Sequence, residues 1–140
     1  MSDLARRYTF PRTHRLKRKQ LIASLFDRSR ADVETEAHGC VRMLYRWATP
    51  EEVGHDVPVQ IGFAPGRRHA TNVQRTRVRR HLREAYRQHQ YLLRDGLPDA
   101  GSPLIAMMLF RGRSDRADTC IWRDVPAVLQ KVAAALPEHD

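Results

Sequence analysis

The chain has 140 residues, and its 25 basic side chains outnumber the 16 acidic ones to give a net charge of +9. This length fits one domain that buries its own core without disulfides or a structural metal. No stretch is apolar over the roughly 18 residues that a membrane-spanning helix requires. The N-terminus also lacks the apolar stretch of a signal peptide. We therefore expect a cytoplasmic protein that has no membrane partner.

Two features of the composition have more than one explanation. Cys40 and Cys120 form no CxxC pair and cannot build a zinc site alone, so we predict reduced, buried, structural thiols. Arginine outnumbers lysine 22 to 3. The codon preference of a GC-rich genome explains that ratio as well as a need for the planar guanidinium fork that grips phosphate. Codon preference does not explain where the charge lies.

The positive charge is concentrated in two blocks. Residues 6–30 carry nine basic residues against Asp27, and residues 65–87 carry eight arginines against Glu84. Residues 31–64 between them hold six acidic residues and two arginines, and residues 88–140 are close to neutral. Even solvation would spread the charge, whereas a polyanionic partner favours its concentration.

The first half of the chain begins with a flexible basic tail at residues 1–12. Apolar residues at helical spacing then predict a short amphipathic helix over residues 16–28. Alternating residues predict a strand over 40–47, and residues 57–64 predict a second. We expect these two strands to form an antiparallel hairpin, with a further short strand elsewhere in the region 30–64.

The second half begins with a helix from about residue 72, for which Thr71 and Gln74 have capping-box spacing. The near-continuous apolar run 103–110 predicts a central strand buried on both faces. Asp124 is expected to cap a last helix, with Pro126 in its first turn. The order predicts a single-domain α+β sandwich with helices on one sheet face and the other face open.

The motifs of self-sufficient catalysis are absent. The sequence has no Walker loop, GxGxxG, HExxH or GxSxG, and its seven histidines show no pair at metal-ligand spacing. Two-metal nucleases need several clustered acids, but Asp27 and Glu84 stand alone in the basic blocks. We therefore predict no catalytic residue and no metal ligand in the protein itself.

The segment RTRVRRHLREAYR, residues 75–87, carries the chemistry that is present. Its apolar residues form one stripe, and four of its arginines lie on an arc of roughly 100° beside that stripe, namely Arg79, Arg80, Arg83 and Arg87. A solvated helix mixes Glu with Arg at i, i+4, yet here Glu84 accompanies six arginines. The alternative of a merely solvated face leaves this repulsion unrelieved, whereas the dense phosphate of RNA relieves it.

This segment closely resembles the signature of the bacterial ribonuclease P protein subunit family, R-N-R-x-K-R-x-x-R-E. Thr76 stands at the family's Asn and Arg79 at its Lys, and Arg67 and Arg68 resemble a basic pair before the helix. The resemblance covers roughly residues 13–136 and includes Arg15 and Leu16, which open the first helix. It places an RNA-binding domain over 13–136 and a C-terminal tail over 137–140.

The resemblance implies a fold α-β-β-β-α-β-α with a left-handed βαβ crossover, against the usual right-handed preference. It implies a cytoplasmic ribonucleoprotein in which one protein monomer joins one catalytic RNA, the partner that carries the chemistry. That holoenzyme is an endonuclease, a hydrolase that removes the 5′ leader of precursor tRNA in tRNA processing. Its cofactor is Mg²⁺, bound mainly by the RNA.

Two groups of site residues follow from the resemblance. Those implied to bind the RNA subunit are Arg67, Arg68, Arg75, Arg77, Arg79, Arg80 and Arg83. Those implied to line a cleft for the single-stranded leader, between the first helix and the sheet, are Arg15, Lys17, Ile22, Phe26, Tyr45 and Phe63. Aromatic rings stack bases without demanding a sequence. Simple core packing of Ile22 and Phe26 remains the alternative.

Three other classes share part of this pattern. Another RNA-binding protein, such as a ribosomal protein with no part in catalysis, has basic blocks without the motif's spacing. A helix-turn-helix DNA binder needs Asn or Gln to read base edges, and these are scarce here. An independent metal-dependent nuclease is disfavoured because the carboxylates are missing.

Overall fold

The computed structural model describes residues 9–66, 71–97, 101–113 and 116–136. Its strands are β1 (Glu34–His38), β2 (Val41–Trp47), β3 (Val59–Ala64) and β4 (Leu104–Phe110). Its helices are α1 (Lys19–Leu25), α2 (Pro50–Val53), α3 (Asn72–His89), α4 (Tyr91–Arg94) and α5 (Ala117–Ala135), and a 3-10 turn covers Arg12–His14. The α+β class is therefore confirmed.

The four strands form one mixed sheet in the order β1-β2-β4-β3. β1 and β4 are antiparallel to β2, and β3 is parallel to β4. The expected hairpin between β2 and β3 is wrong, because β4 lies between them. The hairpin partner of β2 is β1, to which it is joined through Gly39 with a positive φ of 57°. A tight turn closes this pair, whereas the wholly apolar β4 takes the central place that buries both of its faces.

Helix α3 forms as its sequence predicts. The Thr71 hydroxyl accepts a hydrogen bond from the backbone N–H of Gln74 at 3.1 Å and so caps the first turn. The apolar stripe is buried against the sheet, and its members are Val78, Leu82, Ala85 and Tyr86. The stripe fixes the rotation of the helix, because any other orientation would expose these side chains to water.

Both faces of the sheet are covered, and the core has two parts. α3 and α5 cover one face with the larger part, which includes Tyr45, Ile61 and Met108. α1 and the short α2 cover the other face with a smaller part, which includes Leu21 and Ile105. The expectation that the second face is open is therefore wrong over the area under α1 and α2.

Helix α5 begins earlier than predicted. Asp124 does not cap it, and Pro126 lies inside it rather than in its first turn. Ile121 and Ala117 extend the apolar stripe one and two turns upstream, respectively, and are fully buried. An interior proline costs about 3 kcal/mol, and burial of the extended stripe offsets that cost. Asp124 is itself buried and accepts the Cys40 backbone N–H at 3.0 Å.

The two cysteines are adjacent in the fold. Cys40 follows the β1–β2 turn and Cys120 lies in the first turns of α5, with their Cα atoms 6.3 Å apart. The structure joins them as a disulfide, so the prediction of two separate reduced thiols is wrong. Their separation of 80 residues hides the pairing from sequence spacing.

The last residues of the predicted flexible tail pack against the folded domain. The Phe10 ring packs edge-on against Phe63 and Tyr86, with centroids 5.8 and 5.6 Å apart. The Gln90 side-chain amide donates to the Thr9 carbonyl at 2.6 Å. Residues 9–12 therefore belong to the folded domain, while residues 1–8 and the predicted tail 137–140 lie outside the described residues. None of the described helices has the length and apolar character of a membrane span.

The 3-10 turn that follows the docked residues ends in a buried histidine, His14. Burial, and secondarily the charge of Arg94, lowers the pKa of His14 from 6.5 to about 4. The unfolded chain therefore takes up this proton first, and the contribution of neutral His14 to stability is lost as the pH falls from 6.5 to about 4. We expect a loss of about 2 kcal/mol from this group.

Urea unfolding at pH 7 and at pH 4.5 measures this loss. The His14→Leu variant is the control, because the carboxylates titrate in both proteins but only the native one carries the histidine. An identical pH dependence in the two proteins would contradict the assignment.

Candidate RNA interface

The exposed face of α3 is a field of guanidinium groups. Arg77, Arg79, Arg80 and Arg83 are exposed, and Arg75 is half-buried where it donates to the Gly66 carbonyl at 3.3 Å. The buried stripe holds the opposite side of the helix against the sheet, so these side chains project from a rigid element. Arg67 and Arg68, predicted to join them, lie outside the described residues.

Little of this charge is neutralised within the protein. Glu84 pairs with Arg87 at 2.8 Å, and that hydrogen bond lowers the pKa of the Glu84 carboxyl. Across the described part of the chain, no carboxylate lies within ion-pair distance of Arg79, Arg80 or Arg83. These three cations are therefore available for an external anion.

Arg77 has a weaker local partner. Its guanidinium lies 3.9 Å from the carboxylate of Asp118 in the first turn of α5, and both side chains are more than half exposed. An exposed pair at this distance contributes about 0–1 kcal/mol. The contact does place α3 and the start of α5 side by side at one end of the molecule.

The second predicted region is the face under α1. Leu21 and Leu25 anchor α1 to the sheet, Ile22 is half-buried beside them, and Phe26 ends the helix with 48% of its surface exposed. Phe26 is one of two large apolar side chains exposed among the described residues. Core packing thus buries part of the Ile22 side chain, whereas it leaves much of the Phe26 ring exposed.

Tyr45 and Phe63 do not join Ile22 and Phe26. Tyr45 is 1% exposed in the larger core part, on the sheet face opposite α1, and burial raises its pKa to about 12. Phe63 packs in the Phe10–Tyr86 cluster on that same opposite face. Strand alternation separates these side chains from α1, so their assignment to a cleft with Ile22 is wrong.

Arg15 and Lys17 lie on the segment that leads into α1. Arg15 is half-buried, with its guanidinium carbon 5.4 Å from the centroid of the Phe10 ring, whereas Lys17 is exposed. Neither lines the groove described next.

A groove runs along the end of α1 and has residues that sequence reasoning missed. Phe26, Arg42, Leu44 and Leu109 line it, together with Arg28, Arg30 and one acidic residue, Asp27. Arg30 is paired with Asp32 at 2.9 Å. The sequence did contain a signal for this groove. Side chains alternate between the two faces of β2, so Arg42 and Leu44 lie on the face opposite that of Tyr45. We call this cavity of about 290 Å³ the α1 groove.

Arg46, also on this face of β2, anchors α1 and α2 to the sheet. It is 3% exposed and donates to the Ser24 hydroxyl at 3.1 Å and to Glu52 at 3.2 Å. The same Glu52 closes a capping box with Thr49 at the start of α2. One guanidinium therefore connects both short helices to β2.

We expect Arg46→Ala to lower the free energy of unfolding by about 2–3 kcal/mol, because it leaves hydrogen-bond partners without their donor. Chemical denaturation measures the loss. Arg42→Ala is the matched control, since Arg42 is exposed on the same strand and face. An equal, small effect of the two substitutions would contradict the anchoring role.

The described residues do not fit a magnesium site. The group of side chains close enough to hold an ion is Cys40, Cys120 and Asp124. Mg²⁺ requires oxygen ligands, and the two sulfurs here are joined to each other. Burial alone would raise the pKa of Asp124, but hydrogen bonds from Arg123 and the Cys40 N–H lower it overall. This carboxylate is therefore held by the protein's own donors.

An α+β domain with an arginine face on a rigid helix and a basic groove on its sheet belongs to the class of polyanion-binding domains. A sequence model of the Ribonuclease P family matches residues 10–116. The chain therefore belongs to the ribonuclease P protein family, a family of RNA-binding proteins of tRNA processing.

Two solved structures share the fold. A Staphylococcus aureus RNase P protein is 14% identical with a TM-score of 0.58, over 89% of this chain and 98% of that one. A second structure of the protein from the same organism is 11% identical with a TM-score of 0.55, over 94% and 99%. A search of curated protein sequences found no significant match. The handedness of the β3–α3–β4 connection stays a prediction.

Proposed function

We propose that this chain is the protein subunit of a ribonuclease P holoenzyme and binds its catalytic RNA through the exposed arginines of α3. The observation that carries the proposal is the uncompensated charge of Arg79, Arg80 and Arg83 on a helix held by its buried stripe. Phosphates of a folded RNA supply the missing anions, and their contact releases counterions.

The α1 groove takes the single-stranded 5′ leader of precursor tRNA. Phe26 offers an aromatic surface on which a base stacks without sequence readout, and Arg42 and Arg28 face the backbone from the groove walls. A protein that serves many different leaders needs such tolerance. The protein thus adds affinity for the precursor over the mature tRNA.

The hydrolysis of the leader phosphodiester belongs to the RNA partner in this proposal. Mg²⁺ is held mainly by that RNA, whose phosphates supply the oxygen ligands that this ion requires. One protein joins one RNA in the cytoplasm. The protein neutralises phosphate and positions the leader.

Reconstitution tests the proposal. Purified protein is mixed with the cognate catalytic RNA and a precursor tRNA at low Mg²⁺, where repulsion between the two RNAs is least screened. We expect leader cleavage by the mixture and none by the protein alone. Cleavage by the protein alone, or no stimulation of the RNA, would refute the proposed function.

A further inference from the structure

A second basic cavity lies where β4 ends and α5 begins. It measures about 750 Å³, and arginines from three places in the chain meet around it: Arg111 after β4, Arg113 and Arg116 before α5, and Arg123 within α5. Among the described residues that line it, none is acidic. We call it the distal arginine pocket. Nothing in the α3 motif accounts for it.

Two of its arginines are held in place. Arg111 donates to the Gly39 carbonyl at 3.1 Å. Arg123 makes two hydrogen bonds to Asp124, at 2.9 and 3.1 Å, and Asp124 is fixed beneath by the Cys40 N–H. These bonds orient the guanidinium groups in advance, which lowers the entropy lost when a ligand binds.

A third cavity lies between the pocket and the α1 groove and shares residues with each. Phe26, Arg42 and Leu109 line the groove and also line a neighbouring cavity that reaches Arg111. Arg111 and Gly112 in turn line the distal arginine pocket. The three adjoining cavities extend from the end of α1, past the end of β4, to the start of α5, and we call them together the basic trough.

Asp124 pairs with Arg123 beneath the pocket, and the other acidic side chain of α5 faces elsewhere. Asp118 contacts Arg77 on the α3 side of the helix, whereas Thr119, Cys120 and Arg123 line the pocket on the other side. The residues of this carboxyl-terminal third sum to nearly neutral charge, so four arginines around one cavity are a local concentration.

We propose that the leader continues from the α1 groove into the distal arginine pocket, which binds backbone phosphates of the leader's upstream part. This inference rests on the proposed function. Single-stranded RNA fits because the trough combines one stacking aromatic with a track of cations, the arrangement that binds single strands without sequence preference.

The test compares leaders of two lengths. Single-strand-binding grooves track on the order of 4–16 nucleotides. Holoenzyme affinity is therefore measured for one precursor with a leader of about 2 nucleotides, below this range, and one with a leader of about 12 nucleotides, within it. The variant is Arg113→Ala/Arg116→Ala, which keeps the arginines that bond to Gly39 and Asp124. The control is Lys131→Ala. This residue is an exposed cation on α5, about 22 Å along the helix from Arg116.

We expect the double variant to lose about tenfold in affinity for the long leader and little for the short one. For the long leader, the slope of log affinity against log salt should fall in magnitude by about 1.4, because the variant loses two phosphate contacts to single-stranded RNA. This inference alone would be overturned if the double variant bound the long-leader precursor as tightly as Lys131→Ala does. It would also be overturned if the double variant lost as much affinity for the short leader as for the long one. Failure of the wild-type holoenzyme to bind or cleave either precursor would instead overturn the proposed function.

Discussion

Arg79→Ala/Arg80→Ala/Arg83→Ala is expected to weaken binding of the catalytic RNA by about 100-fold, with each lost phosphate contact contributing on the order of 1 kcal/mol. The magnitude of the slope of log affinity against log salt should fall by about three, one unit for each arginine. Filter binding or fluorescence titration at several salt concentrations measures both quantities. The fold should survive, because all three side chains are exposed.

The matched control keeps the charge and changes the geometry. The triple lysine variant at the same positions should retain the salt slope and lose only part of the affinity, because lysine lacks the bidentate fork. An alanine variant with an unchanged slope would contradict phosphate contact by this face. A melting temperature shared by all three proteins would show that the losses concern binding.

Phe26→Ala is expected to weaken binding of precursor tRNA by about 5- to 150-fold, since stacking on an aromatic ring contributes about 1–3 kcal/mol per base. Mature tRNA, which has no leader, should bind the variant holoenzyme as well as it binds the wild type. The substitution removes a ring that is 48% exposed and should disturb the core little. The ratio of precursor to mature affinity is the measurement.

Tyr45→Phe is the control for the leader site. Tyr45 lies in the core on the face opposite α1, so removal of its hydroxyl should leave the precursor-to-mature ratio unchanged. Tyr45→Ala is less informative, because truncating a buried aromatic costs about 3–5 kcal/mol of stability and affects every readout. A selective loss of precursor affinity in Tyr45→Phe would restore Tyr45 to the leader site and contradict the assignment of its face.

The arginine interface was predictable because it depends on one helix. Its periodicity placed Val78 and Leu82 inside, and the same geometry placed Arg79 and Arg83 outside. The leader groove was predictable only in part. Alternation divided β2 into two faces, but which face α1 covers depends on contacts with β4, more than sixty residues away.

The distal arginine pocket had no sequence signal of its own. Arg111, Arg116 and Arg123 are spread through a segment whose total charge is nearly neutral, and the acidic neighbours hide them in any count. They become one feature because the β1–β2 turn, the end of β4 and the start of α5 meet. The pairing of Cys40 with Cys120 at the same junction was missed for the same reason.

Local chemistry alone decided the α+β class, the caps and stripe of α3, the double burial of β4 and the concentration of positive charge. These properties depend on residues a few positions apart, where backbone periodicity fixes the relative direction of side chains. Strand order, the side of the sheet on which Tyr45 lies, the early start of α5 and the trough past Arg111 came only from tertiary packing. Burial of distant apolar surfaces selects among arrangements that are locally equivalent, and that selection has no local signature.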